Sequence, residues 1–292
     1  MSDQRSRGEW MVTPVGGGPV ARRVVLGIVL VLTLLVLIAP LALIFSSAFS
    51  QGLGVFVRNL SEPGTQHAIY LTVITALIAV PINILFGLAA AWAVTKFEFP
   101  GRTLLISLIE LPYSISPIVA GVAYLFVYGS QGLFGPVIEV LGIKVMFALP
   151  AIVLASMFVT APFVARELIP LMQVQGTDEE EAAVTLGASG FATFVKVTLP
   201  NVRWAVLYGA ILCNARVMGE FGAVSVVSGN VRGQTTTLPL QIELLYQDYN
   251  VAGAFAAATV LTAVALVTIL IKIVLERISP DHDAAPARLP SH

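Results

Sequence analysis

Charge is scarce in this sequence. Only 11% of its 292 residues are Asp, Glu, Lys or Arg, whereas 57% are hydrophobic and the mean hydropathy is +0.89. Soluble domains carry about 25% charged residues, so a water-facing surface cannot be built from this composition and the chain reads as an integral membrane protein. Sixteen basic and seventeen acidic residues leave a formal net charge of −1, with no cationic excess to hold nucleic acid. A single cysteine, Cys213, excludes an intrachain disulfide and a cysteine metal cluster; it falls in an apolar run and reads as an inert core thiol. Histidine is equally rare. His67 lies at a span edge and reads as solvated, and His282 and His292 lie near Asp281 and Asp283 in a polar tail that reads as solvated rather than metal-binding. No Gly-x-x-x-x-Gly-Lys-[Ser/Thr] loop occurs, so nothing here cradles nucleotide phosphates. Neither a catalytic set nor a metal-ligating set is predicted.

Long apolar runs fill the space that charge leaves. About 20 apolar residues cross a hydrocarbon core of about 30 Å, and six stretches qualify: 24–45, 68–94, 104–128, 147–170, 204–226 and 251–275. The expectation is an all-α, polytopic transmembrane bundle of six spans with no soluble domain appended. The first run is too long for a signal-peptide core and is read as a retained helix. An even count puts both termini on one side. With the termini in the cytoplasm, Arg5, Arg7, Arg22, Arg23, Lys96, Arg102, Arg166, Lys196, Arg203, Lys272, Arg277 and Arg288 lie inside, against Arg58, Lys144 and Arg232 outside. That is the asymmetry of the positive-inside rule. The organisation predicted is a cytoplasmic N-terminal tail over 1–23, a membrane domain over 24–278 and a disordered cytoplasmic tail over 279–292.

This orientation delivers an unusual segment to the cytoplasm. Thr177-Asp178-Glu179-Glu180 spells a capping box, with Thr177 as cap and Glu180 reaching back, and the acidic first turn suits the helix dipole. Gly187 is placed to take a left-handed C-cap. Ser189 is predicted to start a second short helix that stops before Pro200. Two short helices with a glycine elbow are therefore expected across the cytoplasmic face.

The spacing within that segment is specific. Glu181-Ala182-Ala183, three residues, Gly187, nine residues, Val197, one residue and Leu199-Pro200 resembles the EAA loop of ABC-importer permeases, with Val197 where isoleucine is usual. The resemblance implies the type I permease fold. It also implies that the loop over 177–200 is a coupling element docked on an ATPase, with Glu181 as polar anchor, Ala182, Ala183 and Gly187 permitting close approach, and Leu199 and Pro200 closing the motif. Further on, Arg216-x-x-Gly219-Glu220-Phe221-Gly222-Ala223 is similar to permeases for sulfate and molybdate, and the stretch from Arg232 to Asn250 is similar to the CysW-type sulfate/thiosulfate branch. What that implies is an importer subunit of a bacterial inner membrane, not an enzyme. It would bind no cofactor, ATP and Mg being held by the partner ATPase. Its partners would be a second permease of the CysT/CysU type, two CysA-type ATPase subunits, a periplasmic sulfate-binding protein, and sulfate or thiosulfate. The alternatives are a molybdate/tungstate permease, which the 231–250 stretch disfavours, and an ATP-independent secondary carrier, which has no need of such a loop. An intramembrane hydrolase lacks a histidine near Ser114 or Ser116.

Two clusters fall at membrane depth. Arg216 and Glu220, four apart on a helix, share a face and can pair. Intramembrane charge faces a protein interior or a water-filled cavity, so the pair is either a scaffold or part of an anion route with Arg216 as its positive group. Ala215, Gly219 and Ala223 form a small-residue ridge expected to serve packing. In the third span, Glu110, Ser114 and Ser116 lie among Pro112 and Pro117. They mark either a static kink, with the serines bonding freed carbonyls, or a segment lining the route.

Overall fold

The structure is a computed structural model that describes residues 19–278. The tail expected over 279–292 and most of that expected over 1–23 lie outside the described residues. Contacts divide the chain into two units, 1–47 and 48–292. The first unit holds α1 (Pro19–Thr33), a π-turn (Leu34–Ile38) and most of α2 (Ala39–Phe49). Its helix starts earlier than the residue 24 expected. Ala21–Phe49 is long and apolar enough to cross a membrane, and the side chains from 21 to 40 are exposed. An all-round apolar helix of this kind needs lipid or protein around it.

The described residues of the second unit form helices joined by turns and loops, with no strand among them. It begins with α3 (Leu53–Leu60), then α4 (Pro63–Lys96), which Pro63 starts at a position where its missing N–H costs nothing. α5 (Arg102–Ser114) and α6 (Pro117–Tyr128) follow, then the short α7 (Gly135–Val140) and the long α8 (Leu149–Gln175). The segment over 177–200 contains α9 (Asp178–Thr185) and α10 (Gly190–Thr193), and a π-turn (Phe194–Thr198) leads into α11 (Leu199–Met218). The chain closes with α12 (Gly222–Val227), α13 (Leu238–Gln247) and α14 (Val251–Ile278).

Among the described residues, four helices meet the length and apolarity of a span, at Ala21–Phe49, Pro63–Lys96, Leu149–Gln175 and Val251–Leu275. The other two expected spans are not single helices. Over 104–128, α5 and α6 meet at 108° because Ile115 and Ser116 are extended ahead of Pro117, which forbids the helical conformation of its predecessor. Over 204–226, α11 stops at Met218 and α12 restarts at Gly222. The 20 residues of α11 give a rod of about 30 Å, enough to cross, but its polar content (Arg203 and Arg216 among it) sets it apart from the other four.

α4, α8 and α11 make the centre of the bundle. Gly87 on α4 and Gly209 on α11 both face Val164 on α8, and a Cβ at either would stand 2.6 Å from Val164 Cβ and 3.1 Å from Val164 Cα respectively. Small residues are what allow helices to approach so closely in a bilayer, where no hydrophobic force drives them together. One turn away, Asn83 of α4 donates from Nδ2 to Thr160 Oγ1 (2.6 Å) and Met157 O (3.2 Å) of α8 and lies 3.7 Å from Cys213 Sγ of α11. Cys213 is fully buried, as expected of a core thiol. Elsewhere the outward surface of the bundle is apolar, with Leu77, Leu85, Leu104 and Phe126 all exposed.

Candidate functional site

The segment over 177–200 starts where the sequence says, but by other bonds. The first helical hydrogen bond runs from Glu181 N–H to Thr177 O, 2.9 Å. The capping box does not form, since Thr177 caps no backbone N–H and its hydroxyl donates to the Glu181 carboxylate at 2.8 Å instead. Glu180 is drawn away by stronger partners. Its Oε1 lies 2.8 Å from Lys96 Nζ, at the end of α4, and accepts from Thr198 Oγ1 at 3.1 Å. Glu179 accepts from Asn201 Nδ2 of α11. Each of three successive carboxylates is thus committed to a different partner, which a reading of the cluster as dipole stabilisation alone does not foresee. Partial burial pushes the Glu180 carboxyl up. The hydrogen bond from Lys96, its own backbone N–H, the Lys96 charge and the Thr198 hydroxyl together outweigh burial and hold it below the ordinary carboxylate value of 4.5.

Gly187 is the elbow. Its φ is +90°, and its N–H donates to Val184 O at 2.9 Å while Ala188 N–H reaches Ala183 O at 3.0 Å. No atom lies within 4 Å of where a Cβ would stand, so glycine is required for conformation and not for space. Ser189 caps α10, its hydroxyl accepting from Ala192 N–H. The predicted stop before Pro200 is overturned, for the helix passes through it. Leu199 N–H bonds Phe194 O, five residues back, and this widened turn takes up the missing N–H and the ring clash that would break a regular helix. Leu199 packs on the core of α4, α8 and α11, whereas Pro200 is exposed.

The outer side of the loop is exposed and partly apolar. Glu181 and Ala182 are exposed, Ala183 is half-buried, and Leu186 and Phe191 are 89% and 79% exposed. Between α9, the end of α4 and the π-turn lies a cavity of about 500 Å³, walled by Trp92, Phe97 and Phe194 with Lys96 and Glu180 at its edge.

At the far end of α11, Arg216 and Glu220 do pair, with Nη1 2.8 Å from Oε2, although the helix ends between them. No aligned N–H supports Oε2, so proximity of charge holds the contact. Glu220 is buried; its Oε1 accepts from Ala223 N–H at 3.0 Å and so ties the end of α11 to the start of α12. The guanidinium side remains open, with the Arg216 side chain 34% exposed. The ridge expected to serve packing is divided. Ala223 is buried against α6, but Ala215 and Gly219 are exposed beside Arg216.

The two breaks adjoin, since a Cβ on Gly222 would stand 3.0 Å from Pro117 Cβ. Glu110, Ser114 and Ser116 are all exposed along the other break, and neither serine bonds a freed carbonyl. The serine-stabilised kink is therefore not what holds this bend; Pro117 is. Tyr113 lies under the Arg166 guanidinium, 4.5 Å from its ring centroid, which puts Arg166 on the same side as α5. Sequence reasoning missed Asn83 and the partnership of Lys96. An asparagine inside an apolar run was the available signal for the first, whereas Lys96 read only as an orientation charge.

The family profile described as "Binding-protein-dependent transport system inner membrane component" matches residues 52–280. The sulfate transport system permease protein CysW of Escherichia coli K12 is 53% identical over 251 residues, 86% of each chain. The protein of that name from Synechococcus elongatus is 50% identical, over 86% of this chain and 88% of that one. The sulfate transport system permease protein CysT of Escherichia coli K12 is 34% identical over 82% of this chain and 87% of that one. Among solved structures, a bacterial ABC transporter that imports the acidic polysaccharide alginate superposes with a TM-score of 0.72 at 15% identity, covering 88% of this chain and 94% of that one. A complex of a bacterial alginate ABC transporter with its pentasaccharide-bound periplasmic protein gives 0.72 at 17%, covering 91% and 96%.

Proposed function

Because the chain belongs to the family of inner membrane components of binding-protein-dependent transport systems, we propose that it is a membrane-spanning permease subunit of an ATP-driven sulfate/thiosulfate importer. Its partners on this reading are a second permease related to CysT, two ATPase subunits that bind ATP and Mg, and a periplasmic anion-binding protein. Both termini are cytoplasmic. The loop over 177–200 is the coupling element, and the observation that carries this role is its two-sidedness. Glu179 and Glu180 turn inward to the bundle, while Ala182, Leu186 and Phe191 present an exposed, partly apolar face beside the Gly187 elbow. That face suits a protein groove better than water.

Mechanistically, ATPase closure moves α9, the bundle opens outward, and the released anion enters between the two permeases. Arg216 supplies positive potential from its open side, and buried Glu220 sets its orientation through the ion pair and the bond to Ala223. Glu110, Ser114 and Ser116 line the other break as polar wall. The neutral pair keeps the net charge of the bundle low, so anion selectivity falls mainly to the binding protein.

Co-purification tests the reading. The tagged chain, expressed with its partner ATPase and second permease, should bring the ATPase down. Glu181→Lys and Gly187→Val should each lower the recovered ATPase while the chain still inserts. Full recovery and full sulfate uptake in both variants would overturn the coupling assignment.

A further inference from the structure

α9 buries none of its residues. A helix with no buried residue is held only weakly by hydrophobic contact, so its polar ties to the bundle carry the more force. Lys96 is the last residue of α4, and its side chain is only 7% exposed. Its ammonium lies 2.8 Å from Glu180 Oε1 and also donates to the carbonyl of Gly176, the residue that ends α8. The same Glu180 oxygen accepts from Thr198, the last residue of the π-turn that feeds α11. Two side chains therefore bring the cytoplasmic ends of α4, α8 and α11 to one point on α9. Those are the three helices that share the Gly87–Val164–Gly209 contact and the Asn83–Thr160–Cys213 network.

We infer that the Lys96–Glu180 pair, with Thr198, is the strut that transmits movement of α9 to the transmembrane core. These are positioning residues for transport, and the inference rests on the reading of α9 as the coupling helix. A charge pair shielded from water suits the task. Among the described residues Lys96 has no other acidic partner, and a largely buried ammonium that loses its carboxylate has strong cause to recover one. Asn201 bonding Glu179, with Gln175 Nε2 on the Asn201 carbonyl at 3.4 Å, gives α11 a second, more exposed tie. That tie alone reaches neither α4 nor the elbow.

The test is the ratio of ATP hydrolysed to sulfate transported, measured on the whole importer in proteoliposomes with its binding protein. Glu180→Gln keeps an acceptor for Thr198 and loses the charge; Lys96→Met keeps the stem and loses the ammonium. In both, uptake should fall at least about tenfold further than hydrolysis, the scale on which misplaced parts disable a site. The exchange Lys96→Glu with Glu180→Lys should restore much of the lost ratio. Thr198→Ala, which removes a single hydroxyl, should raise the ratio by about twofold, and it reports on the strut should a charge variant fail to insert. An unchanged ratio in all of these, or loss of uptake only in step with loss of bound ATPase, would overturn the inference. The coupling reading would survive that result, because it fails instead when Glu181→Lys and Gly187→Val leave ATPase recovery intact.

Discussion

Gly87→Ala tests the core most directly. A methyl at this position would lie 2.6 Å from Val164 Cβ, 2.8 Å from its Cγ1 and 3.0 Å from Ala165 N. Carbon atoms rest at about 3.5–4.0 Å, so α4 and α8 would have to separate by roughly 1 Å. Rotation of Val164 gives no relief, because the nearest obstacle is its Cβ, which no rotamer moves. Movement of α8 would also disturb its contact with α11, where Gly209 packs so tightly that a Cβ would stand 3.1 Å from Val164 Cα. Overpacking of this kind costs about 1–3 kcal/mol, partly offset by the roughly 1 kcal/mol that alanine gains over glycine in a helix. Cys213 supplies the assay, being the only cysteine and fully buried in the same three-helix contact. Its reaction with a fluorogenic thiol reagent during a thermal ramp in detergent reports opening of the core. Gly87→Ala should open at lower temperature than the parent, Gly87→Val lower still, and Gly209→Ala in between. Gly54→Ala, with open space around its Cβ, should match the parent. If Gly87→Ala opened no earlier than Gly54→Ala, the close approach of α4 and α8 would be wrong.

Other outcomes follow from the same geometry. Arg216→Met strands the buried Glu220 carboxylate and should cost about 3 kcal/mol, at the low end for a buried pair because the guanidinium is partly solvated; adding Glu220→Leu should recover folding, and near-normal sulfate uptake by that double variant would remove Arg216 from the anion route. Gly187→Asn should keep more ATPase recovery than Gly187→Val, because asparagine tolerates positive φ and a β-branched residue does not; equal recoveries would refute the conformational argument. Cysteines placed at 58 and 144 in a Cys213→Ala background should react with an impermeant reagent from outside, and those at 98 and 185 should not; the reverse pattern would invert the topology. Glu180 is held below its ordinary value, so the stabilisation it brings is complete above pH 4.5 and is lost as pH falls through the lower, folded-state value. Hydrogen exchange of the α9 amides, corrected for the intrinsic pH dependence, should be flat from pH 8 to about 5 and rise only on further acidification, and a rise near neutrality would contradict the Lys96 contact.

Hydropathy and the Gly187 elbow were legible in the one-dimensional chain because each depends on local chemistry. An apolar run must leave water wherever it is, and a residue at φ +90° strongly favours glycine whatever surrounds it. The Arg216–Glu220 pair was legible for the same reason, although the four-residue spacing meant to put it on one helix survives in a chain that breaks at Met218. Local rules failed where a distant group outbid a near one. Glu180 had Thr177 for a capping box, but a charged partner from α4 binds a carboxylate more strongly than a backbone N–H does, and Lys96 comes within reach only when the fold brings the end of α4 to α9. Pro200 should have ended a helix, yet packing of Leu199 on the core carries the chain straight through at the cost of one widened turn. Asn83 had no partner within its own run. It found Thr160, 77 residues away, because a bilayer offers a buried amide no water and the amide must take its hydrogen bond from another helix.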